Sequence, residues 1–470
     1  NSAWTDNKVE GDLATTWAQS ADGKTVTVKL DPNAKWQNVA PVNGRAVTSA
    51  DVKWLFENFG TLKSGNATAI KDVDTITAPD AQTVVFNLKT PYSGFLQSLA
   101  TYTLKLVPKE QFDTDGDFTK RAIGTGAYVF DRREPNARVV VKANPNYWKQ
   151  GKDGKALPYM DEIDVILGQD TATMNAAVKT GQLAFVSPDT MDPVTAKQWL
   201  ADPSLQGKYT WIQSFKLYTE AIHGNLSKEP WKSNLQLRQA LLHAIDMKAI
   251  AANAVQEADA PLEGPITSGM GAFSMSQTDL AKYYTYDPAM VKSLLAQQTA
   301  LPAPYKIELS FILPSTPGTR TDRLSQLLGP MLTTAGFQAS VYVPASPAEG
   351  YGRYFAPTGS TFQVGQTFVG YEGNIFNWWR NYFQTGGTRN WFGPLSDPAL
   401  DAKIADFGAT LDTNAQIAKA QDIQKYILDQ AYLIPLTGGR MYVPQQASLK
   451  NFMRTWGWGF QGIEAAWIDK

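Results

Sequence analysis

The chain lacks cysteine altogether and has only two histidines, His223 and His243, among its 470 residues. The absence of thiols excludes disulfides, thiolate nucleophiles and cysteine-ligated zinc or iron–sulfur centres. Two imidazoles do not suffice for a multi-histidine metal centre, and a Ser-His-Asp triad would have to recruit one of them. We therefore expect no bound metal and no cofactor.

An excess of charge of either sign is also missing. Lys and Arg number 43 and Asp and Glu number 44, so the formal net charge is −1. A nucleic-acid binder needs a basic surface to neutralise phosphates, and this balance argues against one. No apolar run approaches the roughly 18 residues of a membrane span. At about 150 residues per domain, the length predicts roughly three domains.

Familiar catalytic and nucleotide-binding motifs are absent as well. No G-x-x-x-x-G-K-[ST] or G-x-S-x-G stands in the sequence, and the G-T-G at 124–126 lacks the third glycine of a dinucleotide fingerprint. Residues 113–117 resemble the start of a calcium loop, but Phe118 and Gly124 occupy the positions where an EF-hand needs Gly and Glu. We interpret this run as a solvated acidic turn.

Neither histidine has an obvious catalytic setting. His243 lies within an apolar helical pattern, where a packed and hydrogen-bonded imidazole is the default. His223 is predicted to lie in a loop, without an adjacent acid or serine, and its role stays open. With so few catalytic candidates, the sequence favours binding over catalysis.

Apolar periodicity predicts a mixture of helices and strands. Alternation at 25–30 and the segments at 73–78 and 83–88 are typical of hairpin strands, and the cap residues at 48–51 predict the start of a helix there. Apolar residues spaced i, i+3, i+4 and i+7 predict helices at 237–245 and 324–332. The second helix lies between predicted strands at 305–313 and 340–343, which indicates a βαβ unit with a parallel pair. Further helices are predicted from 397 to 405 and from 414 to 428.

Aromatic residues are abundant, and they are densest at 368–392. Flat rings beside Asn, Glu and Arg suit a ligand rich in hydroxyl or amide groups. Strand-like and loop residues alternate in this stretch, so a helical core would not account for all the rings. The alternative is a packed aromatic core with a surface arginine. The predicted ligand-binding residues here are Phe368, Tyr371, Glu372, Asn377, Trp378, Trp379, Arg380, Trp391 and Phe392.

Six segments together resemble one family. Residues 13–23, L-A-T-T-W-A-Q-S-A-D-G, resemble the L-A-x-x-W-x-x-S-x-D-G segment of family 5 extracellular solute-binding proteins, the receptors of peptide, nickel and oligosaccharide ABC importers. The other segments follow in the family's order and cover almost the whole chain: 43–52 (D-G-x-P-x-T-A-x-D-V in the family), 123–128 (G-T-G-P-Y), 144–148 (N-x-x-Y-W), 237–246 (V-R-Q-A-L-x-x-A-I-D) and 286–295 (Y-D-P-x-x-A-x-x-L-L).

The resemblance implies an α/β, two-lobed periplasmic-binding-protein-like fold of type II, of the large class with an extra α+β subdomain. Lobe I would comprise 1–12, 124–218 and 444–470, with 13–123 as its inserted subdomain. Lobe II would comprise 219–443, with a hinge near 219–224 and 440–445. A ligand bridging both lobes would stabilise the closed state.

The resemblance also implies a function and a location. We expect a monomeric receptor, not an enzyme, that delivers an oligopeptide or oligosaccharide to the transmembrane subunits of an ABC permease. It would be periplasmic or extracellular, with a lipid anchor at the cell surface as one alternative. Residues 1–4 show neither the basic nor the apolar region of a signal segment, so we expect that segment to be missing from this chain.

The class of ligand is left open by the sequence. Peptide receptors of the family carry W-x-x-D-Y, whose Asp pairs with the α-ammonium; Tyr371 falls at that position, and Glu372 is the candidate substitute. Residues 377–380 are closer to the G-N-P-W-x-x-Y-R run of the oligosaccharide branch. Trp456 and Trp458 would cover the ligand from lobe I. The alternatives are nickel or another small solute, and, outside the binding class, a glycosidase-like hydrolase with paired carboxylates.

Overall fold

The computed structural model describes residues 9–60, 62, 70–101, 104–168, 170–187, 193–216, 218–298, 303–355, 360–370, 374–389, 391–393, 395–454 and 460–469. The chain divides into two compact units. The first unit comprises 1–185, 203–210 and 445–470, and the second unit comprises 186–202 and 211–444. The lobe boundaries, the inserted subdomain and the hinge given by the resemblance stay predictions beside this division.

The two larger sheets of the first unit are antiparallel. The four-stranded sheet has the order β1-β2-β4-β3, and the three-stranded sheet has the order β5-β6-β7. Gly23, at φ +70°, makes the turn between β1 and β2, where a side chain would be strained. The predicted strands at 25–30, 73–78 and 83–88 are confirmed. The strands are β1 (Ala14–Gln19), β2 (Thr25–Leu30), β3 (Val73–Asp80), β4 (Thr83–Leu88), β5 (Tyr128–Glu134), β6 (Arg138–Ala143) and β7 (Glu162–Ile166).

Short helices accompany these sheets: α1 (Ser49–Asn58), α2 (Phe95–Leu99), α3 (Lys109–Asp115) and α4 (Thr171–Lys179). α1 begins after Thr48, as predicted, and the backbone N–H of Thr48 donates to Asp51 at 2.8 Å. Arg45 donates to the same carboxylate at 2.7 Å and thereby joins the helix start to the preceding loop. The acidic run at 113–117 is the end of α3, where Gly116 takes a left-handed conformation at φ +77°. That run is a helix C-terminus and not a calcium loop.

A five-stranded mixed sheet forms the centre of the second unit, with the order β11-β10-β12-β9-β13. β10 pairs in parallel with β11 and β12, which confirms the predicted parallel pair, and β9 pairs antiparallel with β12 and β13. These strands are β9 (Tyr218–Gly224), β10 (Lys306–Phe311), β11 (Gln338–Tyr342), β12 (Val364–Gly370) and β13 (Ile434–Pro435). The remaining described strands are β8 (Tyr209–Phe215), β14 (Arg440–Gln446), β15 (Leu449–Lys450), β16 (Met453–Arg454), β17 (Phe460–Gln461) and β18 (Trp467–Ile468).

Helices pack around that sheet. The predicted helices at 237–245, 324–332, 397–405 and 414–428 are confirmed. The helices are α5 (Pro193–Ala201), α6 (Leu235–His243), α7 (Met247–Ala249, continued by a π-helix at Ile250–Val255), α8 (Gln277–Tyr283), α9 (Pro288–Ala296), α10 (Arg320–Ala335), α11 (Pro347–Tyr354), α12 (Ile375–Tyr382), α13 (Pro398–Ala409) and α14 (Thr413–Asp429). Within the described ranges, no helix is both long and apolar enough to cross a membrane.

A large core holds the second unit together. Leu241 of α6, Leu309 of β10 and Leu328 of α10 are each fully buried in it. The apolar stripe of α10 therefore lies against the sheet, as its periodicity predicts. This packing fixes the ends of the strands, and the candidate site is built at one of those ends.

Candidate functional site

The aromatic-rich stretch contains a helix that the sequence interpretation missed. α12 occupies 375–382, and the Asn374 side chain accepts the N–H of Asn377 at 2.7 Å to cap it. The prediction of alternating strand-like and loop residues was wrong here. Ile375, Trp378, Trp379 and Tyr382 follow the helical spacing i, i+3, i+4 and i+7, and with the Asn cap this pattern could have identified the helix.

Several predicted ligand contacts lie in the packed interior. Trp378, Trp379 and Phe392 are fully buried, and Arg380 and Asn377 are nearly so. Trp379 contacts Phe383, and Phe383 stacks on Phe392 with ring centroids 5.2 Å apart. The alternative, a packed aromatic core, therefore describes these rings, and Arg380 is buried with them. The guanidinium of Arg380 lies over the Phe376 ring, 5.2 Å from its centroid.

Two donors inside this helix lack partners. The indole N–H groups of Trp378 and Trp379 are buried, and neither finds a hydrogen-bond acceptor among the residues that the structure describes. A buried donor without a partner costs on the order of 1–3 kcal/mol, so an acceptor from water or a ligand would stabilise either group.

Trp391 joins the strand end to the helix. Its ring meets Phe368 of β12 edge-on at 4.7 Å and Tyr382 of α12 at 5.9 Å. The Tyr382 hydroxyl accepts the N–H of Gly370, the last residue of β12, at 3.1 Å. Although 22 residues separate Phe368 from Trp391 in sequence, the structure brings the two rings into contact.

Sequence reasoning missed two exposed rings beside Trp391. Tyr351 and Phe355 are 37% and 47% exposed, and they stack on each other with centroids 6.1 Å apart. Phe355 in turn meets Trp391 edge-on at 5.9 Å. Their i, i+4 spacing on α11 was the available indication. Tyr351, Phe355, Phe368 and Trp391 are called the aromatic surface below, since large exposed rings in contact are typical of binding sites.

Four predicted site residues lie outside the described residues: Tyr371, Glu372, Trp456 and Trp458. Their parts in binding stay predictions. In sequence, Tyr371 and Glu372 directly follow Gly370, the last residue of β12.

His223 lies in the central sheet and not in a loop, which corrects the sequence interpretation. It belongs to β9 and is fully buried, and its Nδ1 lies 3.2 Å from the Gly224 carbonyl oxygen. Gly365 faces it across the β9–β12 pairing, where a Cβ would lie 2.6 Å from the imidazole Cε1. By contrast His243 is hydrogen-bonded to Thr285, as expected. His223 is a packing residue of the sheet.

We expect the His223 imidazole to stay uncharged well into the acid range. Tyr354, Phe362 and Phe392 surround it, and burial lowers its pKa from 6.5 to about 4. The unfolded chain binds the proton first, so the free energy of unfolding should fall by about 3 kcal/mol as the pH drops from 6.5 to 4. NMR titration of a His243→Gln variant isolates the His223 resonance. A resonance that titrates near pH 6.5 in the folded protein would contradict this prediction.

A buried charged cluster lies where β9 and α10 begin. Arg320 Nε donates to Glu220 Oε2 at 2.7 Å, and its Nη2 donates to the Thr437 carbonyl oxygen at 2.7 Å. Burial raises the pKa of Glu220, but the charges of Arg320 and Lys216 and the hydrogen bond from Arg320 together outweigh that effect and hold the pKa below its usual value. Nearby, burial raises the pKa of Glu263 to about 7, although Ser268 donates two hydrogen bonds to it. No local sequence pattern indicated this cluster, because its members are distant in sequence.

The fold is that of the two-lobed periplasmic binding proteins. AgaA of Agrobacterium tumefaciens R10, solved with agropinic acid, superposes with a TM-score of 0.80 at 20% identity over 98% of this chain and 90% of its own. DppA of Helicobacter pylori, solved with the peptide STSA, superposes with a TM-score of 0.79 at 19% identity over 99% of this chain and 91% of its own. NikA of Staphylococcus aureus, solved with Ni(L-His)2, superposes with a TM-score of 0.76 at 19% identity over 98% of this chain and 91% of its own.

Comparison of the sequence with family models identifies the family. The model of bacterial extracellular solute-binding proteins, family 5 Middle, matches residues 8–393. The chain belongs to this family, whose members are receptors of ABC importers rather than enzymes, and which are periplasmic or exposed at the cell surface. The resemblance drawn from the six motifs is thereby confirmed.

Relatives of this chain are described as peptide binders. An ABC transporter peptide-binding protein of Brucella ovis is 28% identical over 311 residues, which cover 62% of this chain and 52% of the relative. The glutathione-binding protein GsiB of Pectobacterium atrosepticum is 29% identical over 301 residues, covering 62% and 53%. The match thus spans about half the length of these relatives.

Proposed function

We propose that this chain is the receptor of an ABC importer for a short peptide, or for a small molecule with peptide-like amide and carboxylate groups. The ligand would bind at the aromatic surface of the second unit and pass to a membrane permease. Delivery requires that the bound ligand stabilise one conformation of the receptor. The ligand must therefore bind that conformation more tightly than the other. No residue of the chain is assigned a catalytic role.

The observation that carries this proposal is the exposed, stacked pair Tyr351 and Phe355, of which Phe355 contacts Trp391. Exposed rings backed by a buried tryptophan offer a rigid apolar face to ligand side chains. Phe368 extends that face to the end of β12, where the chain continues into Tyr371 and Glu372. A carboxylate at Glu372 could pair with an α-ammonium, while the aromatic rings cover apolar side chains.

The burial of two indoles supports this class of ligand over an oligosaccharide. An oligosaccharide site at residues 377–380 would need the faces of Trp378 and Trp379 for stacking, and both indoles are packed inside the unit. The names of the relatives, peptide-binding and glutathione-binding, favour the same class.

A thermal-shift screen tests the proposal. The protein is melted alone and with di- to pentapeptide mixtures, glutathione, cello-, xylo- and manno-oligosaccharides, and nickel. A ligand at 100 times its dissociation constant adds about 2.7 kcal/mol to the free energy of unfolding, which is readily measured. We expect a peptide or glutathione to raise the melting temperature. A shift only with nickel, or turnover of any screened compound, would contradict the proposal.

A further inference from the structure

We propose that the first unit carries a second binding site, a polar groove for a neutral, hydroxyl-rich ligand of the oligosaccharide class. The groove is an open concavity of about 1,090 Å³. Three segments line it: the start of β1, the loop at 31–44 and residues 146–150. Pockets for small organic ligands commonly enclose about 300–1,000 Å³, so the groove is large enough for several sugar rings. All its lining residues belong to the first unit, so it is separate from the aromatic surface.

The first argument is the side-chain amide groups that line the groove. Asn33, Asn38, Asn146 and Gln150 line the groove and are exposed. Within the described part of the chain, none of their side-chain amides has a hydrogen-bond partner. An amide offers two donors and an acceptor, and a sugar hydroxyl can both donate and accept. Side-chain amides in a concave surface therefore match adjacent hydroxyls better than they match an apolar ligand.

The second argument is charge. Four charged residues line the groove, Asp12, Asp31, Lys35 and Lys149, and their formal charges cancel. Lys149 is already paired with Asp12 and also lies 4.9 Å from the ring centroid of Trp148. An anionic or cationic ligand would gain no net attraction from such a lining. The binding of a neutral ligand does not depend on such an attraction.

The third argument is a rigid aromatic wall. Trp36 is almost fully buried in a cluster with Val42 and Ile123, and Trp148 packs against that cluster. The indole N–H of Trp148 donates to the Thr125 carbonyl oxygen at 3.1 Å, which fixes the ring. Preorganised walls lower the entropic cost of binding. The partly exposed Trp148 ring supplies the apolar contact, and the neighbouring amides supply the hydrogen bonds that a sugar needs.

The test is titration of the full chain with maltotriose, cellotriose, xylotriose and chitotriose, followed by calorimetry and by ligand-observed NMR. We expect at least one of them to bind one-to-one. The Asn33→Ala/Asn146→Ala double variant should weaken that binding about tenfold, the equivalent of two lost hydrogen bonds. Gln338→Ala removes an exposed amide from β11 in the second unit and should leave the affinity unchanged. Thermal melts of each variant establish that it is folded.

Two results would overturn the groove. One is that no trisaccharide binds at up to about 10 mM, well above the ~1 mM constants of weak ligands. The other is binding that survives in the double variant and is lost in Trp391→Ala, which would place the sugar at the aromatic surface. Titration of the same variants with the peptides of the screen keeps the two proposals apart, because the groove variant should bind peptide normally.

Discussion

Replacing Arg320 by Met should lower the free energy of unfolding by about 3–5 kcal/mol, since it leaves the carboxylate of Glu220 buried without its partner. The two side chains are only 8% and 14% exposed, and their 2.7 Å hydrogen bond is charge-assisted. The Thr437 carbonyl oxygen loses a donor in the same variant. Urea unfolding at pH 7, followed by circular dichroism, measures the loss.

Two further variants give this prediction its controls. Glu220→Met combined with Arg320→Met removes both charges and should recover much of the stability, because replacing a buried pair by apolar groups is often neutral. Lys282→Met breaks the exposed pair with Asp279 and should cost less than about 1 kcal/mol. An Arg320→Met variant as stable as Lys282→Met would show that the buried pair does not act as described.

Trp391→Ala should reduce the affinity for the peptide found in the screen at least tenfold, which corresponds to roughly 1.4 kcal/mol or more. Trp391 contacts three other rings, so the substitution removes the support of Phe355 and Phe368 together. It is only 6% exposed, and the cavity should also cost about 3–5 kcal/mol of folding stability. Isothermal titration and thermal melting measure the two effects separately.

Phe355→Ala separates binding from folding. Phe355 is nearly half exposed, so its removal should change stability by less than about 0.5 kcal/mol while still weakening peptide binding. Leu411→Ala is the matched control, because Leu411 is an equally exposed apolar residue outside the aromatic surface. Unchanged titration curves for Trp391→Ala and Phe355→Ala would remove the aromatic surface from the proposed site.

Local patterns predicted the regular elements well. The strand at 25–30 alternates in burial as its sequence alternates, and the helix at 324–332 extends to Arg320–Ala335. Failures came where long-range packing outweighed local preference. β9, which holds His223, is largely buried on both faces of the sheet. No alternation of apolar and polar residues therefore marked it as a strand. The helical spacing of the rings in α12 was hard to recognise, because the polar residues between them are buried as well and the helix has no polar exposed face.

The sequence by itself determined the class of protein: no thiols, no charge excess, few catalytic candidates, and six ordered motifs whose family match is confirmed. Those properties depend on composition and on short-range spacing, which the chain carries before it folds. Only the tertiary structure decided which rings of 351–392 are exposed and which are core. It also paired Glu220 with Arg320 across 100 residues. Burial and long-range pairing depend on what covers a side chain, and a linear pattern does not contain that information.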